Sequence, residues 1–360
     1  MLLSQDASAQ FVGQVVTVRQ VKRSLISRRL PVEKSTEIAA SMHNKGLLVA
    51  NEIDFKRAKI LSQNIERSGI CNTLVTNHSP EELLERLPGF FDKVLLDAPC
   101  SGEGMFRKDP DAIKYWNPEY NRQCAERQKE ILRSTIPLLR DGGTLIYSTC
   151  TFSPEEDEQV ISWILQNFPQ MKLLPIQKFQ GVQNGRPDWS DGNSELLKTA
   201  RIWPHKTKAE GHFIAKLIKA ADQEKFESRL STPTVSLSRN RKNRKKSTVS
   251  LEKNELKLLS DFFDQAKIDT DLSTLAKFGD HVYSLPDFCP DLDKIKILRA
   301  GLEIGYFRKN IFYPSHALAL SSLGEKFYPQ LSLDDHQLID YVHGDVIRIE
   351  KSDFKKAGYF

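Results

Sequence analysis

Between positions 46 and 150, short apolar runs recur that each stop at a polar or nucleophilic residue, with helical stretches between them. Gly46-Leu47-Leu48-Val49-Ala50 ends at Asn51-Glu52. Thr73-Leu74-Val75-Thr76 follows, the run from Phe91 to Leu96 ends at Asp97, and Thr144-Leu145-Ile146-Tyr147-Ser148 leads to Cys150. Runs of this length without strict alternation suit strands buried on both faces of a parallel sheet. Phe55, Ala58, Ile60, Leu61 and Ile65 repeat at helical spacing from about Asp54 to Arg67, and Ser68-Gly69 stops that helix. A further helix is predicted from about Asn121 to Leu139, after which Asp141-Gly142-Gly143 turns the chain into the last run. The order β-α-β-(α)-β-α-β predicts an α/β fold built on a doubly wound sheet. Ligands bind at the carboxyl ends of such strands, and Glu52, Asp97 and Cys150 stand at or just beyond those ends.

A chain of 360 residues suits two or three domains. Ile202-Trp203-Pro204 and the segment Gly211 to Leu217 read as strands that close the first sheet. Residues 221–250 are rich in Ser, Lys, Arg and Asn and read as a linker. A second compact region is expected at 251–360, with a helix at Leu256 to Phe263 and short strands such as His281-Val282-Tyr283. The net charge of +5 is local: Arg239, Arg241, Lys242, Arg244, Lys245 and Lys246 account for it, since the rest of the chain carries 46 basic and 47 acidic groups. That tract either meets phosphates or is a solvated linker. No apolar run reaches the roughly 18 residues of a membrane span, and the stretch Met1 to Asp6 has no signal-like character. Five cysteines without the close spacing of a zinc site argue against a disulfide framework or a metal, and for a reducing cytoplasm.

Two of those cysteines follow strands directly, in Asp97-Ala98-Pro99-Cys100-Ser101-Gly102-Glu103-Gly104 and in Ser148-Thr149-Cys150-Thr151-Phe152-Ser153-Pro154-Glu155-Glu156-Asp157-Glu158. Ser153-Pro154-Glu155-Glu156 reads as a capping box with proline at the first helical position, and Val160, Ile161 and Ile164 supply the apolar face of its helix. A helix N-terminus beside Cys150 favours a thiolate, whereas Glu155, Glu156, Asp157 and Glu158 oppose one. The bland alternative is that both cysteines are small buried hydrophobes, the role expected of Cys71, Cys124 and Cys289. Trp163 and Phe168 are expected in the core. Arg107 and Lys108 are placed either to meet phosphate or simply to face solvent.

These two segments resemble the paired cysteine motifs of the Nop/Sun family of RNA 5-methylcytosine methyltransferases, above all its RsmF-like ribosomal RNA branch. The resemblance continues through Arg201-Ile202-Trp203-Pro204-His205, Glu210-Gly211-His212-Phe213 and Ser4-Gln5-Asp6-Ala7-Ser8-Ala9-Gln10. Phe312-Tyr313-Pro314-Ser315-His316-Ala317-Leu318-Ala319 resembles that branch's PUA-like RNA-binding module. The resemblance implies a Rossmann-like methyltransferase domain at 1–220, a basic linker at 221–250 and an α+β PUA-like region at 251–360. It implies S-adenosylmethionine as cofactor, RNA as partner, and a cytoplasmic monomer. Cys150 matches the nucleophile that adds to carbon-6 of cytosine, and Cys100 the cysteine that helps release the product. Asp97 matches the acid at the cytosine ring and near the cofactor. Glu52 matches the carboxylate on the ribose hydroxyls. Lys34 falls in the cofactor loop, and Ser79, with Asn77 as alternative, falls where the adenine is met.

The cofactor loop departs from the family pattern. Relatives carry roughly Cys-Ala-Ala-Pro-Gly-Gly-Lys-Ser-Thr, whereas this chain reads Arg28-Arg29-Leu30-Pro31-Val32-Glu33-Lys34-Ser35-Thr36. Val32 replaces a glycine that allows close backbone approach, Glu33 adds a negative charge, and Ile26 stands in place of an acidic strand residue. The span from about Gln20 to Glu33 reads like a neighbouring frame of a normal loop, as a compensated frameshift produces. The resemblance also implies a further region before Ser4 and a strand cut short at Lys355 to Phe360. Two other readings remain open at this level: an RNA-binding relative without catalysis, and a thiol hydrolase with His205 or His212 as base.

Overall fold

The computed structural model describes residues 7–16, 22–27, 38–221, 251–326 apart from 269, and 332–347. Lys34, the altered loop, the basic tract and both chain ends lie outside the described residues.

The first half folds in the order α1 (Ala7–Val16), β1 (Arg23–Ser27), β2 (Leu47–Asn51), α2 (Phe55–Arg67), β3 (Thr73–Thr76), α3 (Pro80–Arg86) and β4 (Phe91–Asp97). It continues with α4 (Pro118–Thr135), β5 (Leu139–Thr149), α5 (Glu158–Asn167), β6 (Met171–Leu173), β7 (Gln183–Asn184), β8 (Ala200–Ile202) and β9 (His212–Lys219). Strands β3, β2, β1, β4 and β5 lie side by side and parallel in that order, and β9 closes the series antiparallel to β5. The strand order reverses at β1, which is the switch point of a doubly wound sheet.

Alternation along each strand builds two cores. Leu25, Leu47, Val49, Leu74, Val94, Leu96 and Leu145 pack on one face of the sheet. Ile26, Leu48, Ala50, Val75, Leu95 and Ile146 pack on the other. Covering both faces explains why the strands read as continuous apolar runs. Each such leucine stabilises the fold by about 1.5–3 kcal/mol. The departure at Ile26 is absorbed here: Ser24-Leu25-Ile26-Ser27 forms the buried central strand β1, paired with both β2 and β4.

Helix limits follow their caps. Asp54 accepts the Arg57 N–H to start α2, and Asn117 accepts the Tyr120 N–H to start α4 ahead of the expected position. Gly69 ends α2 at φ +63°, and a Cβ there would meet the Leu320 carbonyl oxygen at 2.3 Å. The turn expected at Asp141-Gly142-Gly143 is instead a bulge inside β5, which already pairs with β4 at Leu139.

The second half comprises α6 (Lys253–Gln265), β10 (Leu275–Phe278), β11 (His281–Ser284), β12 (Ile297–Ala300), β13 (Leu302–Arg308), β14 (Ile311–Pro314), α7 (His316–Leu320) and α8 (Asp335–His343). Strands β10, β11, β13 and β14 form an antiparallel sheet over Leu259, Phe262, Phe263, Val282, Ile304 and Phe312, an α+β arrangement. β12 leaves that sheet and pairs antiparallel with β3, so it extends the first sheet at its edge. The junction is polar as well: the Lys296 N–H donates to His78 Nε2 at 2.8 Å, and Arg299 meets Glu66 at 3.1 Å. Among the described residues no helix is long and apolar enough to cross a membrane.

Candidate active site at the ends of β4 and β5

Parallel pairing sets Asp97 opposite Ser148, so the loops leaving β4 and β5 emerge together. Both are cysteine loops. The sulfurs of Cys100 and Cys150 lie 3.1 Å apart, and no disulfide joins them. The Cys150 N–H points at the Cys100 sulfur at 3.3 Å. Ser148 Oγ donates to Asp97 Oδ1 at 2.7 Å, which brings the third expected residue to the same strand ends. Gly104 locks the two loops: its N–H donates to the Cys150 carbonyl at 2.8 Å, and a Cβ there would stand 2.4 Å from the Gly211 oxygen and 2.9 Å from that of Cys150.

Beneath the thiols lies a buried polar floor that the sequence reading did not assign. Glu156 Oε2 accepts from the Ser101 N–H at 3.0 Å and from Gln128 Nε2 at 2.8 Å. Gln128 Nε2 also donates to the Pro99 carbonyl at 2.9 Å, and the Tyr147 hydroxyl bonds to Gln128 Oε1 and the Glu156 carbonyl. Burial pushes the Glu156 carboxyl up to about 7. The hydrogen bond with Cys150, then burial, push the Cys100 thiol well above its ordinary value.

The expected capping box is not formed. Residues 154–157 make turns and α5 begins at Glu158, with no side-chain cap from Asp157. Ser153 Oγ bonds to Glu155 instead. The acidic residues turn inward because a buried cation awaits them. Arg201, 1% exposed on β8, pairs with Asp157 at 3.1 Å and with Glu158. Thr149 Oγ1 donates to Asp157 at 2.6 Å, and the Glu158 carboxylate also takes the Arg186 N–H. Burial pushes the Asp157 carboxyl up while Arg201 works against it. The guanidinium carbon of Arg201 lies 4.9 Å from the Trp189 ring centre and 5.4 Å from those of Trp203 and Phe213. The readable signal was an arginine inside an otherwise apolar strand, with an acidic run to match it.

The remaining expected residues lie at the ends of β2 and β3. Glu52 is buried, and its Oε1 takes the Asp54 N–H at 2.9 Å and the Arg57 guanidinium at 2.8 Å. Asn77 donates to the Glu52 and Ile53 carbonyls and so braces that turn. Ser79 is the N-cap of α3, where its hydroxyl accepts the Glu82 N–H in a full capping box. Ser27 Oγ, at the end of β1, is buried without a hydrogen-bond partner among the described residues. An acceptor carboxylate and an unsatisfied hydroxyl at neighbouring strand ends fit a ligand rich in hydroxyls and amines. Arg107 pairs with the buried Glu210 at 2.8 Å while its own side chain stays exposed. His205 is exposed beside Trp203, and His212 opens β9. Cys124 is buried in α4.

The chain is 42% identical over 193 residues to the ribosomal RNA small subunit methyltransferase F of Escherichia coli O157:H7, covering 52% of this chain and 38% of that one. It is 40% identical over 206 residues to the enzyme of the same name from Klebsiella pneumoniae, covering 56% and 41%. It thus spans about two fifths of the length of these curated relatives. The crystal structure of NSun6 from Pyrococcus horikoshii with SFG superposes with a TM-score of 0.52 at 29% identity, over 61% of this chain and 53% of that one. A methyltransferase homologue from the same organism gives 0.50 at 30% identity, over 60% and 67%. Residues 261–321 match the first C-terminal domain of RsmF rRNA methyltransferases. Residues 29–218, more than half the chain, match the model of 16S rRNA methyltransferases RsmB/F, and the chain belongs to that family.

Proposed function

We propose that the chain transfers a methyl group from S-adenosylmethionine to carbon-5 of a cytosine in ribosomal RNA, through a covalent bond between Cys150 and carbon-6 of the ring. The observation that carries this reading is the pair of thiol sulfurs 3.1 Å apart at the ends of adjacent parallel strands. The cofactor, when bound, supplies an electrophilic methyl group.

The chain's own residues do the rest. Cys150 Sγ, its proton released to water, adds as a thiolate to carbon-6, which moves electron density onto carbon-5 and makes it nucleophilic. Asp97, held by Ser148, faces the ring from the end of β4. Once carbon-5 carries its methyl, the proton on that carbon must leave. Cys100 is the residue to take it: the C5–H electrons re-form the double bond, the carbon–sulfur bond breaks, and Cys150 departs as thiolate. The order of events suits the thiol pair. Cys100 keeps its proton chiefly because it is bonded to Cys150. That hold ends once the Cys150 sulfur is tied to carbon, so the Cys100 thiol then releases its proton to water more readily and is available as the thiolate that takes the carbon-5 proton. In this reading Glu52 accepts from ribose hydroxyls as its contact with Arg57 gives way, Ser79 donates near the adenine, and Lys34 belongs to the cofactor loop.

Calorimetry with S-adenosylmethionine, followed by methyl incorporation into small-subunit ribosomal RNA, tests the reading. Heat of binding and 5-methylcytosine in the digested RNA are expected. A methyl group on any other atom, or on RNA without involvement of Cys150, overturns it. A second reading, RNA binding without catalysis, is favoured by Val32-Glu33 in place of the family's glycine pair. It predicts RNA binding with neither heat nor thermal shift from the cofactor.

A further inference from the structure

The residue before Cys100 and the residue after it are both held from below. Gln128 reaches up from α4 to the Pro99 carbonyl at 2.9 Å. Glu156 reaches from the loop after β5 to the Ser101 N–H at 3.0 Å. The two holders bond to each other at 2.8 Å, and Tyr147 fixes Gln128 Oε1 at 2.9 Å and the Glu156 carbonyl at 2.7 Å. Gln128, Tyr147 and Glu156 are fully buried. A carboxyl group in that position bears a desolvation cost that a purely structural contact does not require. Glu156 also belongs to the loop that follows Cys150, so the same side chain joins both cysteine loops.

We infer that Glu156 and Gln128 are positioning residues that set the Cys100 sulfur against Cys150 by clamping both peptide units that flank Cys100. The inference rests on the reading of function above for its meaning, but its geometry can be read without cofactor or RNA. Glu156→Leu removes the acceptor shared by Ser101 and Gln128 and preserves the bulk. Glu156→Gln restores it, because one amide oxygen can stand where Oε2 takes both donors.

The experiment treats the full chain with diamide and follows the Cys100–Cys150 disulfide by peptide mass spectrometry. Each closure removes one proton and one electron from each thiol, and these two protons and two electrons reduce the azo bond of the reagent to a hydrazine. Glu156→Leu should close about tenfold more slowly than the parent, as expected when reacting atoms lose their near-attack placement. Glu156→Gln should close at close to the parent rate. Alkylation of Cys124, buried in α4, reports whether the fold survives. Should Glu156→Leu release Cys124, Tyr147→Phe takes its place, since it removes only the hydroxyl that fixes Gln128 and the Glu156 carbonyl. In a methyl-transfer assay the slow variant should lose kcat at unchanged KM for RNA and accumulate the protein–RNA adduct. Closure of Glu156→Leu (or of Tyr147→Phe in its place) at the parent rate overturns the inference, and so does a Gln variant as slow as Leu. Methyl transfer that survives Cys150→Ala overturns the function instead, and leaves the closure rates to decide the clamp.

Discussion

Cys100 and Cys150 are separated by 50 positions in the chain, yet their sulfurs approach to 3.1 Å. The pairing of β4 with β5 makes this possible, and the proposed reaction assigns the two thiols unequal tasks. Cys150→Ala should abolish methyl transfer and form no adduct. Cys100→Ala should add to RNA and accept the methyl but fail to release, leaving a band that survives denaturant on a gel. Complete loss of product with no such band in Cys100→Ala would refute the division of labour.

Arg201 serves two buried carboxylates, Asp157 and Glu158. Arg201→Met preserves volume but leaves both acids without their cation. It should destabilise the chain by about 3–5 kcal/mol, the usual cost of breaking a buried pair from one side. Urea unfolding would measure this, and a loss below about 1 kcal/mol would show that the acids are not charged partners.

Glu156 titrates near 7 in the folded chain, against an ordinary value of 4.5. Between these limits the folded protein holds a proton that the unfolded chain has released. The contribution is therefore complete below 4.5 and is lost as pH rises through about 7. It amounts to at most about 3 kcal/mol. Glu103, Asp157, Cys100 and Tyr147 surround the same carboxyl and set its field. Melting curves from about pH 5 to pH 8 should fall less steeply for Glu156→Gln than for the parent. Equal slopes would place the titration elsewhere.

Gly104 has no room for a side chain against Gly211 and Cys150. Gly104→Ala must push the Cys150 backbone and should cost about 1–3 kcal/mol. Methyl transfer should drop further than stability does, since a small displacement of the nucleophile is costly in rate. Unchanged kinetics would show that the two loops tolerate separation.

The first sheet was legible because its strands are buried on both faces and stop at polar residues: Asn51, Asp97 and Thr149 close β2, β4 and β5. The cysteine pairing was legible only through the family motifs, since strand adjacency is not written in a local pattern. The capping box at Ser153 failed because a partner 43 residues beyond Glu158, Arg201, drew the acids inward. Tertiary charge outweighed local helix chemistry there. Gln128 reads in the sequence as an ordinary polar position on a helix, and nothing nearby signals that it reaches Pro99. β12 escaped notice for a similar reason: Ile297-Leu298-Arg299-Ala300 is too short and mixed to announce a strand, and its partner was made more than two hundred residues earlier.

That late partner has a consequence for synthesis. A ribosome finishes β3 long before it reaches β12, and until then the backbone donors and acceptors along one side of Thr73–Thr76 are unsaturated. A nascent chain in that interval invites pairing with strangers, so the C-terminal half doubles as the guard of the half that was born first.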